Sequence, residues 1–245
     1  MPEVAIVAAL RREVWPAVKG WRVAEREHEG RRLRFYENRD GRAVLVCGGI
    51  GPGPARRACE AAIALYQPAT IVSFGFAGAL QAGKAVGEVI VPERVIDAND
   101  GSSVVTVKGS GTLLSFDGVA SAAQKARLAQ SYPADAVDME AAAVGRGAQA
   151  RSTRFIAVKA ITDGADFEFP CFDRFITAEG GFRTVGFAVY GAARPWLWPV
   201  MIRMARNSAR AHQALAAWLE QFNRPATEFA GKSEANLECV TGARP

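Results

Sequence analysis

The chain predicts an α/β fold: a single domain with a central mixed, largely parallel sheet flanked by helices. Two observations carry this. Apolar runs of strand length at residues 4–10, 43–47, 70–74 and 155–161 read as strands covered on both faces. Helical stretches at 55–66, 124–131 and 138–150 alternate with them, the pattern of one α/β sheet.

The first run, Val-Ala-Ile-Val-Ala-Ala-Leu, leads through Arg11-Arg12-Glu13-Val14-Trp15-Pro16 into a turn and a helix start. Glu13 therefore falls just past a strand's carboxyl end, where open α/β sheets bind ligands. An exposed helix-start glutamate fits the segment equally well. Residues 20–42 are polar, with a strand at 33–37. After the strand at 43–47 comes Gly48-Gly49-Ile50-Gly51-Pro52-Gly53-Pro54, whose amides can approach an anion at the next helix's start. The spacing matches neither a Walker loop nor a dinucleotide fingerprint, so a tight turn explains it as well. The strand at 70–74 runs into a second close-approach loop, Gly75-Phe76-Ala77-Gly78-Ala79. A fourth strand is expected at 87–91, and 97–112 is turn-rich.

Val137-Asp138-Met139-Glu140-Ala141-Ala142-Ala143-Val144 organises the rest. Asp138 suits the positive end of a helix dipole. Glu140 heads into alanines and a valine, and carboxylates are buried only when paired or hydrogen-bonded; a first-turn glutamate facing solvent fits this segment equally well. The following strand ends in Ile161-Thr162-Asp163-Gly164, placing a second acid at a strand's carboxyl end.

From Gly180 the composition changes. Arg194-Pro195-Trp196-Leu197-Trp198-Pro199 precedes a helix expected over 201–222, with Met204, Ser208, Ala211, Leu215, Trp218 and Phe222 as its apolar face. Arg203, Arg206 and Arg210 form a basic stripe beside it. A helix packed on the domain is one reading, and a tryptophan-bearing surface resting on a membrane is the other. Residues 1–222 are expected to form the domain, with 180–222 as an extension and 223–245 as a loose tail.

Hydrophobic residues make up 49% of the 245 and charged residues 22%, a globular balance rather than a disordered one. The net charge of +5 is too small to name an anionic partner by itself. Cys47, Cys59, Cys171 and Cys239 form no Cys-x-x-Cys pair and read as the reduced thiols of a cytoplasmic protein. With only His28 and His212, no metal centre is expected, and no cofactor motif is present. No leader and no membrane-spanning run is read, and the arginines do not form a nucleic-acid module.

Residues 5–14, 48–53 with the following helix, 75–91 and 137–166 together resemble the superfamily of purine nucleoside phosphorylases and methylthioadenosine–adenosylhomocysteine nucleosidases. Val-Asp-Met-Glu-Ala followed by Ala-Ile-Thr-Asp is the specific part of the match. The resemblance implies a nucleoside phosphorylase-like fold and a catalytic Asp163 that protonates N7 of the leaving purine. It implies that Glu13 deprotonates the attacking water, that Glu140 binds ribose hydroxyls, and that Met139 packs on the sugar. Gly49, Gly75, Phe76 and Phe116 would complete the substrate site. The expected partner is a small-molecule purine nucleoside, with phosphate as the alternative nucleophile, in a homo-oligomer.

Where many phosphorylases of the family carry Arg-x-Gly-Thr, this chain has Ser73-Phe74-Gly75-Phe76, so the phosphate-gripping arginine is absent. Arg56 or Arg94 would have to replace it, which favours hydrolysis. The stretch between Asp100 and Ser115 is shorter than in the nucleosidases. The Trp- and Arg-rich C-terminal pattern is similar to the hopanoid-associated phosphorylases, which release adenine from adenosylhopane. Three readings stand: a nucleosidase acting on a 5′-substituted adenosine, a phosphate-dependent phosphorylase, and a non-catalytic nucleoside-binding protein.

Overall fold

A computed structural model describes residues 2–15, 17–169 and 171–220. The sheet is built outward from β1 (Val4–Ala8), every residue of which is buried. It pairs in parallel with β4 (Ala43–Cys47) on one side and β5 (Thr70–Ala79) on the other. Alternate residues feed opposite faces, the period-two consequence of strand geometry. Ala5, Val7, Val44, Val46 and Ile71 pack with helices α2 (Pro52–Tyr66) and α4 (Ala141–Gln149). Ile6, Ala8, Leu45, Val72 and Phe74 pack instead with α1 (Arg11–Val14) and the long helix α6 (Trp198–Glu220).

Strand β5 is the spine. Its far edge pairs in parallel with β11 (Arg154–Asp163), and its last two residues turn antiparallel to β10 (Ala136–Asp138). A register shift between Ile161 and Asp163 lets β11 leave the sheet there. The carboxyl ends of β1, β10 and β11 and the last residues of β5 thus meet around one opening. Beyond β10 the sheet continues through β9 (Thr112–Ser115), β7 (Arg94–Asp97) and β8 (Ser103–Val105).

The structure corrects several expectations. Gly75 to Ala79 is not a loop; it continues β5. Its glycines serve close approach to side chains rather than a turn. The strand expected at 87–91 shrinks to β6 (Val89–Ile90), paired with β11. The polar stretch 20–42 holds two strands, β2 (Arg22–His28) and β3 (Arg31–Glu37). They are joined through Glu29 and Gly30, both at positive φ, the conformation of tight hairpin turns. β2 is an edge strand in which only Ala24 is buried, so it lacks an apolar pattern. The turn-rich region 97–112 contains β8 and the start of β9. Helix α3 (Ala122–Ser131) begins two residues before the expected position, with a capping box between Ser121 and Gln124.

The extension from Gly180 adds α5 (Thr184–Ala192), a 3₁₀ turn (Pro195–Leu197) and α6. Ala211 and Leu215 are buried on α6, and Trp218 packs its ring 5.3 Å from Phe74. Phe222, Cys239 and the expected tail at 223–245 lie outside the described residues.

Candidate active site

Helix α4 begins three residues later than expected, and that shift makes the site. Asp138 is the last residue of β10 rather than a helical residue. Its Oδ2 accepts the Ala141 amide at 2.9 Å, while Ser115 Oγ donates to Oδ1 at 2.5 Å and accepts from Ala142 at 2.9 Å. Two orphan amides at the helix start are thereby satisfied. Met139 and Glu140 are left between strand and helix, both facing a cavity of about 540 Å³.

Glu140 Oε1 accepts the Gly51 amide at 2.9 Å. The anion held by the glycine-rich loop is thus a carboxylate of the chain itself. Gly51 has φ 97°, a conformation that favours glycine. Lys159, fully buried in the middle of β11, lies 2.8 Å from Asp138 Oδ2 and 3.9 Å from Glu140 Oε2. Burial works against its charge, but Asp138, Glu140 and Glu13 outweigh burial and hold its pKa above the ordinary lysine value. Burial pushes Glu140 up to about 7, with Asp138 and Glu13 adding to the rise and Lys159 and the Gly51 amide opposing it.

Glu13 is buried at the amino-terminal turn of α1, accepting the Ala9 amide at 3.2 Å. Burial raises its pKa as well, against the pull of Lys159 and Arg12. A Cβ at Gly75 would stand 3.0 Å from Glu13 Oε2, so the strand passes close under this carboxylate. Glu13, Asp138, Glu140 and Lys159 form one charge group.

Asp163 belongs to a second group. It is buried and ion-paired through Oδ2 with Lys125 of α3, which also donates to the Gly164 carbonyl at 2.8 Å. Thr162 Oγ1 donates to Asp163 Oδ1 at 2.6 Å. A Cβ at Gly78 would lie 2.7 Å from Asp163 Oδ2 and 3.2 Å from Lys125 Cε, so this pair fits only against glycine. Asp163 thus has a lysine, not a second carboxylate, as its neighbour.

Glu13, Met139, Glu140, Asp163 and Phe76 all line the same cavity. Gly75 supports Glu13 from behind, and Gly49 abuts Glu179 and Gly180 while its neighbour Ile50 reaches the cavity. Phe116 packs with Leu114, Ala120 and Val137 instead of facing the opening. Arg56 stands in a helical ion pair with Glu60, 3.8 Å away, and Arg94 is on β7; neither lines the cavity. Arg12 does, stacked 4.8 Å over Phe182.

Sequence reasoning missed Lys125, Lys159, Arg12 and an aromatic wall. Lys159 left a signal, a cation in the middle of the otherwise apolar run at 155–161. Lys125 left none, because Gln-Lys-Ala-Arg reads as an ordinary surface turn of helix. The wall consists of Phe167, Phe169, Phe172, Phe182 and Phe187, closed by Met204 of α6. Their rings contact one another in a chain, Phe172 stacking 4.6 Å from Phe182. Among the described residues no group of His, Cys, Asp and Glu could hold a metal ion.

A family model described as the phosphorylase superfamily matches residues 3–111 and 101–179. Among solved structures, the apo 5′-methylthioadenosine nucleosidase of Arabidopsis thaliana superposes with a TM-score of 0.68 at 18% identity, over 96% of this chain and 100% of that one. The 5′-methylthioadenosine/S-adenosylhomocysteine nucleosidase of Helicobacter pylori gives 0.67 at 16% identity, over 90% and 97%. The futalosine hydrolase of the same organism gives 0.66 at 17%, over 90% and 97%. At these identities the structures speak for the fold. The family match spans well over half of the sequence, and on it the chain belongs to the phosphorylase superfamily.

Proposed function

We propose that the protein is a purine nucleosidase, acting as a homo-oligomer, that hydrolyses the N-glycosidic bond of a 5′-substituted adenosine and releases adenine. The observation that carries the reading is the pair of separate buried charge groups on one cavity: Glu13, Asp138 and Glu140 around Lys159, and Asp163 with Lys125.

Breaking the bond between C1′ and N9 leaves positive charge on the ribose, as in glycoside hydrolysis. Glu140 beside the sugar stabilises that charge in a water-poor site. Glu13 takes a proton from the water whose oxygen attacks C1′. The bonding electron pair leaves with the purine, and Asp163 delivers a proton to N7, which makes adenine a better leaving group. Lys125 supplies, across its ion pair, the proton that Asp163 passes to N7. The proton that Glu13 takes from water then leaves to solvent while Lys125 takes one up, so every group ends the turnover as it began without a cofactor. Met139 packs on the sugar.

Two features bear on the nucleophile. Among the described residues, Lys125 on the cavity wall and Lys159 behind it are already ion-paired with these carboxylates, so Arg12 is the one lining guanidinium or ammonium left for a phosphate to engage. Arg12 is the specific observation in favour of phosphorolysis. Burial lowers its pKa, with Glu13 opposing, and its guanidinium already stacks on Phe182.

The aromatic wall suits an apolar 5′ group, of the adenosylhopane type or the methylthioadenosine type. A mutant of the H. pylori nucleosidase, on this fold, holds 5′-methylthioadenosine in its active site. The test is adenine release from adenosine, 5′-methylthioadenosine and a 5′-alkyl adenosine across pH. We expect kcat/KM to rise with 5′ apolarity and to fall about tenfold per unit below the Glu140 ionisation at about 7. Glu140→Gln should lower the rate and remove that limb. Equal rates on all three substrates, or a limb unchanged in Glu140→Gln, contradicts the assignment.

A further inference from the structure

Residues 180–219 hold five arginines (Arg183, Arg194, Arg203, Arg206, Arg210) and no acidic residue, while the rest of the chain has equal numbers of basic and acidic side chains. The whole net charge of +5 is therefore carried by this one segment. None of the five arginines makes an ion pair among the described residues.

The same segment exposes large apolar side chains. Val185 and Val189, one helical turn apart on α5, are 77% and 64% exposed; Trp196 is 73%, Trp198 51% and Ile202 52%. Half of the large hydrophobics exposed among the described residues lie in these 18 positions. Single exposed apolar residues are ordinary on a soluble protein, but a group of this kind marks a contact. Nor is the group loose. Trp198 donates its indole N–H to the Gly191 carbonyl at 3.1 Å, tying the start of α6 to the end of α5. Along α6, Trp198, Ile202, Arg206 and Arg210 recur every fourth residue, an apolar-then-basic row on one face.

Tryptophan with aliphatic residues beside arginines that form no ion pair among the described residues is the chemistry of the interface of an anionic bilayer, although Arg194 stacks on Tyr190 and Arg203 on Phe167. Indoles sit at headgroup depth, and each basic side chain near the surface adds attraction to acidic lipids. We propose that α5, the Pro195–Leu197 turn and the first half of α6 form a docking surface for an anionic phospholipid bilayer. No described helix is long and apolar enough to cross one, so the contact is peripheral. The opposite sides of these helices carry Phe187 and Met204 into the cavity, so in the docked protein α5 and α6 lie between the aromatic wall and the lipid. The proposal stands on the surface alone and does not depend on the catalytic reading.

The test is co-sedimentation of the full chain with vesicles of phosphatidylcholine alone or mixed with phosphatidylglycerol. Binding to the mixed vesicles only, weakening with salt, is expected. Both Trp196→Ser/Ile202→Ser and Arg206→Glu/Arg210→Glu should reduce partitioning by about tenfold or more while melting as the wild type does. Absence of binding to either vesicle, or undiminished binding of both variants, overturns the proposal. So does a wild-type dimer that sediments as a monomer in Trp196→Ser/Ile202→Ser without any vesicle binding, since the patch would then be covered by a second copy.

Discussion

Asp163→Asn is expected to lower adenine release by about 10²–10⁴-fold, the range associated with a positioned general acid. The substitution keeps the volume and the hydrogen bond from Thr162, and it retains the contact beneath at Gly78. In the proposed mechanism it removes the proton path between Lys125 and the purine, and with it the route by which N7 is protonated as the bond breaks. The loss should fall on kcat more than on KM, because the interaction is made chiefly in the transition state. Initial rates by adenine absorbance, beside thermal melting to establish folding, decide it. A folded variant within a few-fold of the wild type would remove Asp163 from the mechanism.

The largest stability effect is expected from Lys159→Met. Lys159 lies inside β11 and is the counter-charge nearest to both Asp138 and Glu140. A methionine fills the space but leaves the carboxylates buried without their cation. Breaking a buried pair in this way costs about 3–5 kcal/mol, roughly 10 °C in Tm for a chain of this size. The sign with pH follows from the carboxylates. Glu13 and Glu140 already have raised pKa values, and losing Lys159 raises them further. A raised carboxylate contributes stability below its unfolded pKa that is lost as pH rises through the folded one. The deficit of the variant should therefore be large at pH 8 and shrink toward pH 5. Melting at both pH values checks it; an equal deficit would mean that packing, not charge, is what Lys159 supplies.

The parts of the fold legible in the sequence were those with two-sided burial. Strands β1, β4, β5 and β11 announce themselves because both faces are apolar. β2 does not, because an edge strand with one buried residue looks like a polar loop. The glycines at 75 and 78 suggested a loop, whereas they let a strand pass beneath Glu13 and Asp163. Glu13, Glu140 and Asp163 drew attention as acids beside apolar runs, but the residues alone left Glu13 an equally good helix-start reading, and only the family resemblance gave the three their expected roles. The structure places all three on one cavity. Lys125 could not, since its burial depends on where α3 lies against β11, a tertiary fact that helix composition does not encode. The aromatic wall was likewise hidden. Its phenylalanines are spread over residues 167–187 and converge only through the irregular chain between β11 and α5.

The most direct test of hydrolysis is the identity of the sugar product when the wild-type protein turns over 5′-methylthioadenosine in ¹⁸O-water with phosphate present. The account predicts a free sugar carrying one ¹⁸O at C1′, formed at the same rate with and without phosphate. A sugar 1-phosphate without ¹⁸O, formed only when phosphate is supplied, would contradict it and make Arg12 the first residue to examine.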